Sequence, residues 1–127
     1  MPRDRQNALL KKAREDVAAY ELLSNSEAIS DETLGFHAQQ AVEKSLKHVL
    51  GRKKISYPKT HDLTELIRLL DSGKITRPFQ DEEIELLTPY ATTLRYEDET
   101  DLPLDRHAIL KLIKVILAWA ERAGSSL

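Results

Sequence analysis

The chain has 127 residues, which is the length of one domain, and its 41% hydrophobic and 31% charged residues are typical of a globular protein. It has no cysteine and no apolar run of the roughly 18 residues that a membrane span requires, which excludes disulfides, thiolate chemistry, Cys-His zinc sites and transmembrane helices. A net charge of −2 argues against a surface that wraps nucleic acid, and the charged N-terminal residues lack an apolar signal core, so the expected compartment is the cytoplasm.

Two amphipathic helices are predicted in the first part of the chain, over residues 5–24 and 31–50. The first has one apolar face at steps of three and four residues, formed by Leu9, Ala13, Val17, Tyr20 and Leu23. Ser30 is the predicted N-cap of the second helix. Gly35 lies in its first turn, where a glycine permits close packing of a neighbouring helix or loop.

The second helix carries a polar stripe beside its apolar face. At about 100° per residue, the stripe consists of His37, Gln40, Lys44 and Lys47. Such a row can line a groove that binds a nucleotide or an RNA backbone, because lysine supplies charge to phosphate and glutamine can read a base or ribose edge. Alternatively, these long side chains flank the core and extend to water, or Gln40 and Lys44 bond to the loop before His61.

The third helix is predicted from about residue 60 to residue 70, after a basic loop. Thr60 is its predicted N-cap, and Asp62 favours the positive end of the helix dipole. His61, at the same helix start, can orient a phosphate that exposed backbone N–H groups bind. The alternative is that Thr60, His61 and Asp62 only cap the helix, and the two roles are compatible.

Two more helices are predicted. The fourth begins at about residue 80, and Pro89 inside its pattern predicts a kink or an early end near Thr88. The last is capped by Asp105 and runs to about residue 123. The last helix has an apolar band too wide for one buried face, because three apolar residues lie outside its core-facing set: Leu110, Val115 and Leu117. This indicates packing on a second side, by an extra helix or by a second subunit. With short connections and no convincing strand, the fold class is all-α, an up-and-down antiparallel bundle of about five helices in a single domain over residues 1–127.

Arg95 and Tyr96 lie between the last two helices. Arg95 can clamp an anion or a carboxylate bidentately, or it can pair with Glu43 or Glu97 and hold the bundle closed. Tyr96 can stack on a base, present a phenol open to nucleotidylation by a partner enzyme, or pack in the core. The acidic residues that follow match no metal-binding loop and are interpreted as solvated, so no metal and no cofactor is predicted.

Three segments in this order resemble the HEPN domain: FHAQQAVEKSLKHVL of the second helix, the loop ending in THDL, and the later LRYEDE. The resemblance spans nearly the whole chain and implies an up-and-down helical bundle with a tendency to form a homodimer. HEPN domains commonly occur beside, or fused to, minimal nucleotidyltransferases, and some of these pairs are toxin–antitoxin modules. Other members are RNases or are thought to bind nucleotides. A minimal nucleotidyltransferase is therefore the implied partner.

The ribonuclease motif of that family is not found. RNase members carry an arginine, a spacer of four to six residues and a histidine, and no arginine precedes any histidine here at that distance: His37, His48, His61 and His107. No catalytic residue is carried over. The favoured interpretation is an interaction module with nucleotide or RNA binding between His37 and Lys47. The alternatives are an RNase toxin with a non-standard site drawn from His37, His61 and Arg95, and a purely structural dimeric scaffold.

Overall fold

The protein is described by a computed structural model for residues 3–91 and 104–125, with side chains over residues 7–91 and 104–123. Over these ranges it is helical and contains no strand. The helices are α1 (Arg3–Leu23), α2 (Asp31–Arg52), α3 (Leu63–Ser72), α4 (Asp81–Glu85) and α5 (Arg106–Ser125), with a 3-10 turn at Thr88–Tyr90. The predicted all-α, five-helix bundle is confirmed.

The central element of the bundle is α2, which contacts α1, α3, α5 and the 3-10 turn. Its residues at three- and four-residue steps meet those of the neighbouring helices in one apolar core, whose largest fully buried side chains include Tyr20, Leu34, Leu46, Leu66, Ile113 and Ile116. Among the described residues, no helix is both long and apolar enough to cross a membrane.

The helix starts follow the predicted caps, with one exception. The Ser30 hydroxyl accepts a hydrogen bond from the Thr33 N–H at 3.1 Å, and an Asp105 carboxylate oxygen accepts one from Ala108 at 3.1 Å. The predicted cap at Thr60 is wrong, because α3 begins at Leu63 and its N-cap is Asp62. The Thr60 hydroxyl accepts instead from the Asp62 N–H at 3.0 Å and shapes the turn before the helix.

Gly35 allows the close packing that its position predicts. A Cβ atom at Gly35 would lie 2.4 Å from two carbons of the Tyr90 ring, which is closer than real Cβ contacts. The Tyr90 ring, from the 3-10 turn, therefore packs directly on the backbone of α2. Pro89 lies inside this turn, and α4 ends at Glu85, slightly earlier than predicted.

The helices α2 and α3 end in the same way. In each, a lysine just beyond the C-cap takes a left-handed conformation, with φ 61° at Lys54 and 59° at Lys74. The N–H of the following isoleucine, Ile55 or Ile75, donates to a carbonyl of the last helical turn at 2.8 and 3.0 Å. A Cβ at Gly73 would lie 2.6 Å from Ile55 Cδ1, so the two helix ends are side by side.

The wide apolar band of α5 is covered in part within the chain. Leu110 and Leu117 are half-buried against the core, because α1 lies along that flank of α5. The flank is closed by two exposed ion pairs, Lys114–Glu21 at 2.6 Å and Arg14–Glu121 at 2.7 Å. Of the three residues that indicated a second packing side, only Val115 is exposed, at 42%. The homodimer stays a prediction.

Candidate functional site

The polar stripe of α2 rests on two acidic side chains, Asp16 of α1 and Glu43 of α2. Both carboxylates are largely buried, with side-chain exposures of 13% and 5%. Each one holds two of the cationic or histidine side chains that the sequence singles out. We call the resulting set the α2 polar surface; it consists of Asp16, His37, Gln40, Glu43, Lys44, Lys47 and His61.

Asp16 binds the N-terminal half of the stripe. The Lys44 ammonium donates to one carboxylate oxygen at 2.7 Å, and Nδ1 of His37 lies 3.1 Å from the other. The side chains of Lys44 and His37 are themselves mostly buried. Solvent and salt therefore screen their interactions with Asp16 less than they screen a surface ion pair. The contact ties α1 to α2 across 28 positions of sequence.

Glu43 binds the C-terminal half of the stripe and the start of α3. The Lys47 ammonium donates to Oε2 at 2.9 Å, and Nδ1 of His61 lies 3.0 Å from both oxygens of the carboxylate. The side chain of Gln39, which is fully buried, donates to Oε1 of Glu43 at 3.1 Å and to the carbonyl of His61 at 3.3 Å. The segment before α3 is therefore fastened to α2 through both the side chain and the backbone of His61.

Gln40 contacts this network from its edge. Its amide nitrogen donates to the Gln39 side-chain oxygen at 2.8 Å. The residue that bonds to the loop at His61 is Gln39, rather than Gln40 or Lys44. Gln39 and Glu43 occupy successive turns on the buried side of the stripe, because they are four residues apart, and this places them against the segment that leads into α3.

The geometry has two chemical consequences. The carboxylates of Asp16 and Glu43 balance the ammonium groups of Lys44 and Lys47, so the surface carries no excess of positive charge from its lysines. His61 combines an engaged Nδ1 with a side chain that is 71% exposed, which leaves the rest of the ring accessible. A buried carboxylate that orients an accessible imidazole is an arrangement able to support proton transfer at the second ring nitrogen.

The family comparison adds to this geometry. A family model for the HEPN domain matches residues 6–123, from α1 into α5. The chain belongs to the HEPN domain family. No significant match was found to a curated protein or to a solved structure.

The predicted site residues of this HEPN domain fall into two groups. The fold brings His37, Gln40, Lys44, Lys47 and His61 onto one surface, which the side chains of α1, α2 and the α3 start share. Arg95 and Tyr96 lie outside the described residues, so their predicted roles as an anion clamp and as a modified or stacking phenol stay predictions.

Three residues of the observed hydrogen-bond network were not predicted from the sequence: Asp16, Gln39 and Glu43. Gln39 and Glu43 could have been found, because two polar residues four positions apart interrupt the apolar face of α2. The sequence indicates Glu43 only as a partner for Arg95. Asp16 offered no signal, since an acidic residue on a charged helix is ordinarily solvated and its role depends on how α1 packs against α2.

Proposed function

We propose that this HEPN domain is an interaction module that pairs with a minimal nucleotidyltransferase in the cytoplasm, in a toxin–antitoxin type of system, and that it does so as a homodimer. The observation that carries the proposal is the α2 polar surface. Its lysines and histidines are held by Asp16 and Glu43 in a fixed, charge-balanced array. The family match supports the proposal, because HEPN domains commonly occur beside such enzymes.

A fixed and neutral polar surface suits a protein partner better than a phosphate. Side chains already held in ion pairs lose little conformational freedom on binding, and alternating charges favour one partner over others. Phosphate recognition instead needs cations whose charge is not already compensated. Nucleotide or RNA binding between His37 and Lys47 is therefore less supported, because both lysines of the stripe are paired with acids.

The proposal is tested by purifying the untagged protein from its own host and recording native mass spectra. The expected result is a dimer bound to a second protein that peptide sequencing identifies as a nucleotidyltransferase. Recombinant partner should then bind the double variant Lys44→Gln/His61→Gln at least about tenfold more weakly than the wild type. The matched control is Lys111→Gln/His107→Gln, which removes the same residue types from the exposed side of α5 and should bind normally.

Two results would overturn the proposal. If no nucleotidyltransferase is present in the purified material, the proposed partner is wrong. If the two double variants bind the partner equally well, the α2 polar surface is not the docking site.

A ribonuclease with a non-standard site is the second candidate, and the Glu43–His61 contact favours it. The buried carboxylate of Glu43 orients the His61 imidazole, as an acidic residue orients the histidine of a general acid–base pair. Pure protein would then cleave RNA, and His61→Ala or Arg95→Ala would abolish the cleavage. Unchanged cleavage in both variants would exclude these residues as its source.

A further inference from the structure

His61 differs from the other histidines of the chain in how its ring is held. Its side chain is 71% exposed, while Nδ1 lies 3.0 Å from both carboxylate oxygens of the buried Glu43. His48 is buried, and the side chain of His37 is only 29% exposed. His107 is exposed, but the described part of the chain places no carboxylate against its ring. All four histidines lie in that part, and His61 alone combines a carboxylate at one ring nitrogen with an accessible ring.

The contact with Glu43 determines which nitrogen of the His61 ring is able to react. An ionised carboxylate only accepts hydrogen bonds, so Nδ1 carries the ring proton, and Nε2 of the neutral ring keeps its lone pair. Because Nδ1 faces the buried carboxylate, the accessible part of the ring includes Nε2. The ring therefore presents a nucleophilic nitrogen to solvent.

The position of this ring is fixed by buried groups. Gln39, which is fully buried, donates to Oε1 of Glu43 at 3.1 Å and to the backbone carbonyl of His61 at 3.3 Å. The Lys47 ammonium donates to Oε2 of Glu43 at 2.9 Å. Both the carboxylate and the backbone of the histidine are thus held in place. A nucleophile that a third group orients needs little reorganisation before it reacts.

The charges around His61 allow it to attack an anionic phosphoryl group. Lys47 offsets the charge of Glu43, so this pair does not repel the incoming oxygens. The carboxylate of Asp62 accepts from the Thr64 N–H at 3.0 Å, at the positive end of the α3 dipole. When Nε2 forms a bond, positive charge develops on the ring, and Glu43 stabilises that charge through its contact with the Nδ1 proton.

We propose that His61 accepts a phosphoryl group at Nε2 from an N-phosphoryl donor, such as the phosphohistidine of another protein. The lone pair of Nε2 attacks the phosphorus and forms a P–N bond. The P–N bond of the donor breaks, and its electron pair stays on the donor nitrogen. Nδ1 keeps its proton, which is directed at Glu43. The bond that forms is of the same kind as the bond that breaks, so the transfer requires no other source of energy.

The inference goes beyond the proposed function, and it depends neither on the nucleotidyltransferase partner nor on RNA cleavage. Its test uses phosphoramidate, a small N-phosphoryl compound from which ammonia leaves with the electron pair of the broken P–N bond. The full chain is incubated with phosphoramidate at neutral pH. Peptide mapping under alkaline conditions, which preserve phosphohistidine, then measures the label on each histidine.

The expected result is one phosphoryl group on His61, added at least about tenfold faster than on His107, because the hydrogen bond to Glu43 stabilises the charge that develops on the ring. Phosphorus NMR should assign the group to Nε2. Nitrogen NMR of the unlabelled protein should show a protonated Nδ1 and an unprotonated Nε2 in the neutral ring of His61.

Glu43→Gln tests the carboxylate as a positioning residue. The carboxamide has nearly the same shape but does not offset positive charge, so labelling of His61 should slow at least about tenfold. Labelling of His107 in the same molecules should be unchanged. His61→Asn should remove the label, and the matched control His107→Asn should leave the rate at His61 as in the wild type. Circular dichroism checks that each variant is folded.

Three results would overturn the inference. The first is the absence of label on His61. The second is labelling of His61 and His107 at the same rate in the wild type, since this would indicate the ordinary reactivity of exposed imidazoles. The third is undiminished labelling of His61 in folded Glu43→Gln, since the buried carboxylate would then have no part in the reaction.

Discussion

At the scale of single residues, buried polar side chains decide how this fold responds to solution conditions. Tyr20 is fully buried in the core, and its hydroxyl donates to the carbonyl of Arg106 at 2.8 Å. Burial raises the pKa of the Tyr20 phenol well above its ordinary value, and the nearby Arg106 only partly opposes this shift. The folded protein therefore holds the phenolic proton more tightly than the unfolded chain does.

This shift predicts a loss of stability at alkaline pH. The contribution of Tyr20 is fully present below the unfolded pKa of about 10, and it decreases as the pH rises above that value, because the unfolded chain then loses the proton first. The free energy of unfolding, measured in urea from about pH 8 to about pH 11, should fall more steeply for the wild type than for Tyr20→Phe. Parallel curves for the two proteins would contradict the prediction.

At the scale of helices, close contacts with the backbone affect the stability of the protein more than intrinsic helix propensity does. The Tyr90 ring occupies the space beside Gly35, and a methyl group there would meet ring atoms that cannot move away easily. At Gly73 the corresponding methyl would meet the flexible end of Ile55. Replacing each glycine by alanine therefore compares the same substitution in two different environments.

Gly35→Ala is expected to destabilise the protein by about 1–3 kcal/mol, because overpacking outweighs the roughly 1 kcal/mol by which alanine favours a helix. Gly73→Ala should be close to neutral, since the backbone there has a negative φ that alanine adopts readily. Urea denaturation of both variants measures the difference. If Gly35→Ala were as stable as the wild type, the packing of Tyr90 on α2 would be wrong.

The helices could be predicted from the sequence because their apolar residues recur at helical steps and because Ser30 and Asp105 are good caps. The stripe on α2 was placed correctly for the same reason. Its charge partners were not predicted, because the Asp16–Lys44 contact joins two helices and depends on their packing angle. The start of α3 was misplaced since Thr60 and Asp62 are both suitable caps and only the observed turn separates them.

At the scale of the whole molecule, Arg106 joins the last helix to the connection between α1 and α2. Its guanidinium donates to a carboxylate oxygen of Asp31 at 2.8 Å and to three backbone carbonyls of that connection, those of Ser24, Ser26 and Ile29. The sequence interval between these groups is 75 to 82 residues. One side chain therefore fastens the N-terminal end of α5 to the connection between α1 and α2.

Arg106→Lys is expected to lower the free energy of unfolding by about 2–3 kcal/mol, because an ammonium group cannot reach a carboxylate and three carbonyls with the geometry of a planar fork. Arg14→Lys is the matched control, since Arg14 makes an exposed ion pair with Glu121 and such pairs contribute at most about 1 kcal/mol. Chemical denaturation of the two variants provides the comparison. An equal, small effect would show that Arg106 is not a closing contact.

Asp16 lies beneath the N-terminal half of the α2 polar surface, and this position affects how the surface can change in evolution. Asp16 neutralises Lys44 from the neighbouring helix, so Asp16→Asn would leave that ammonium uncompensated while keeping almost the same shape. The surface that we propose for a protein partner would then carry one uncompensated positive charge, which favours phosphate. A single nucleotide substitution in the codon for Asp16 is enough to make this change.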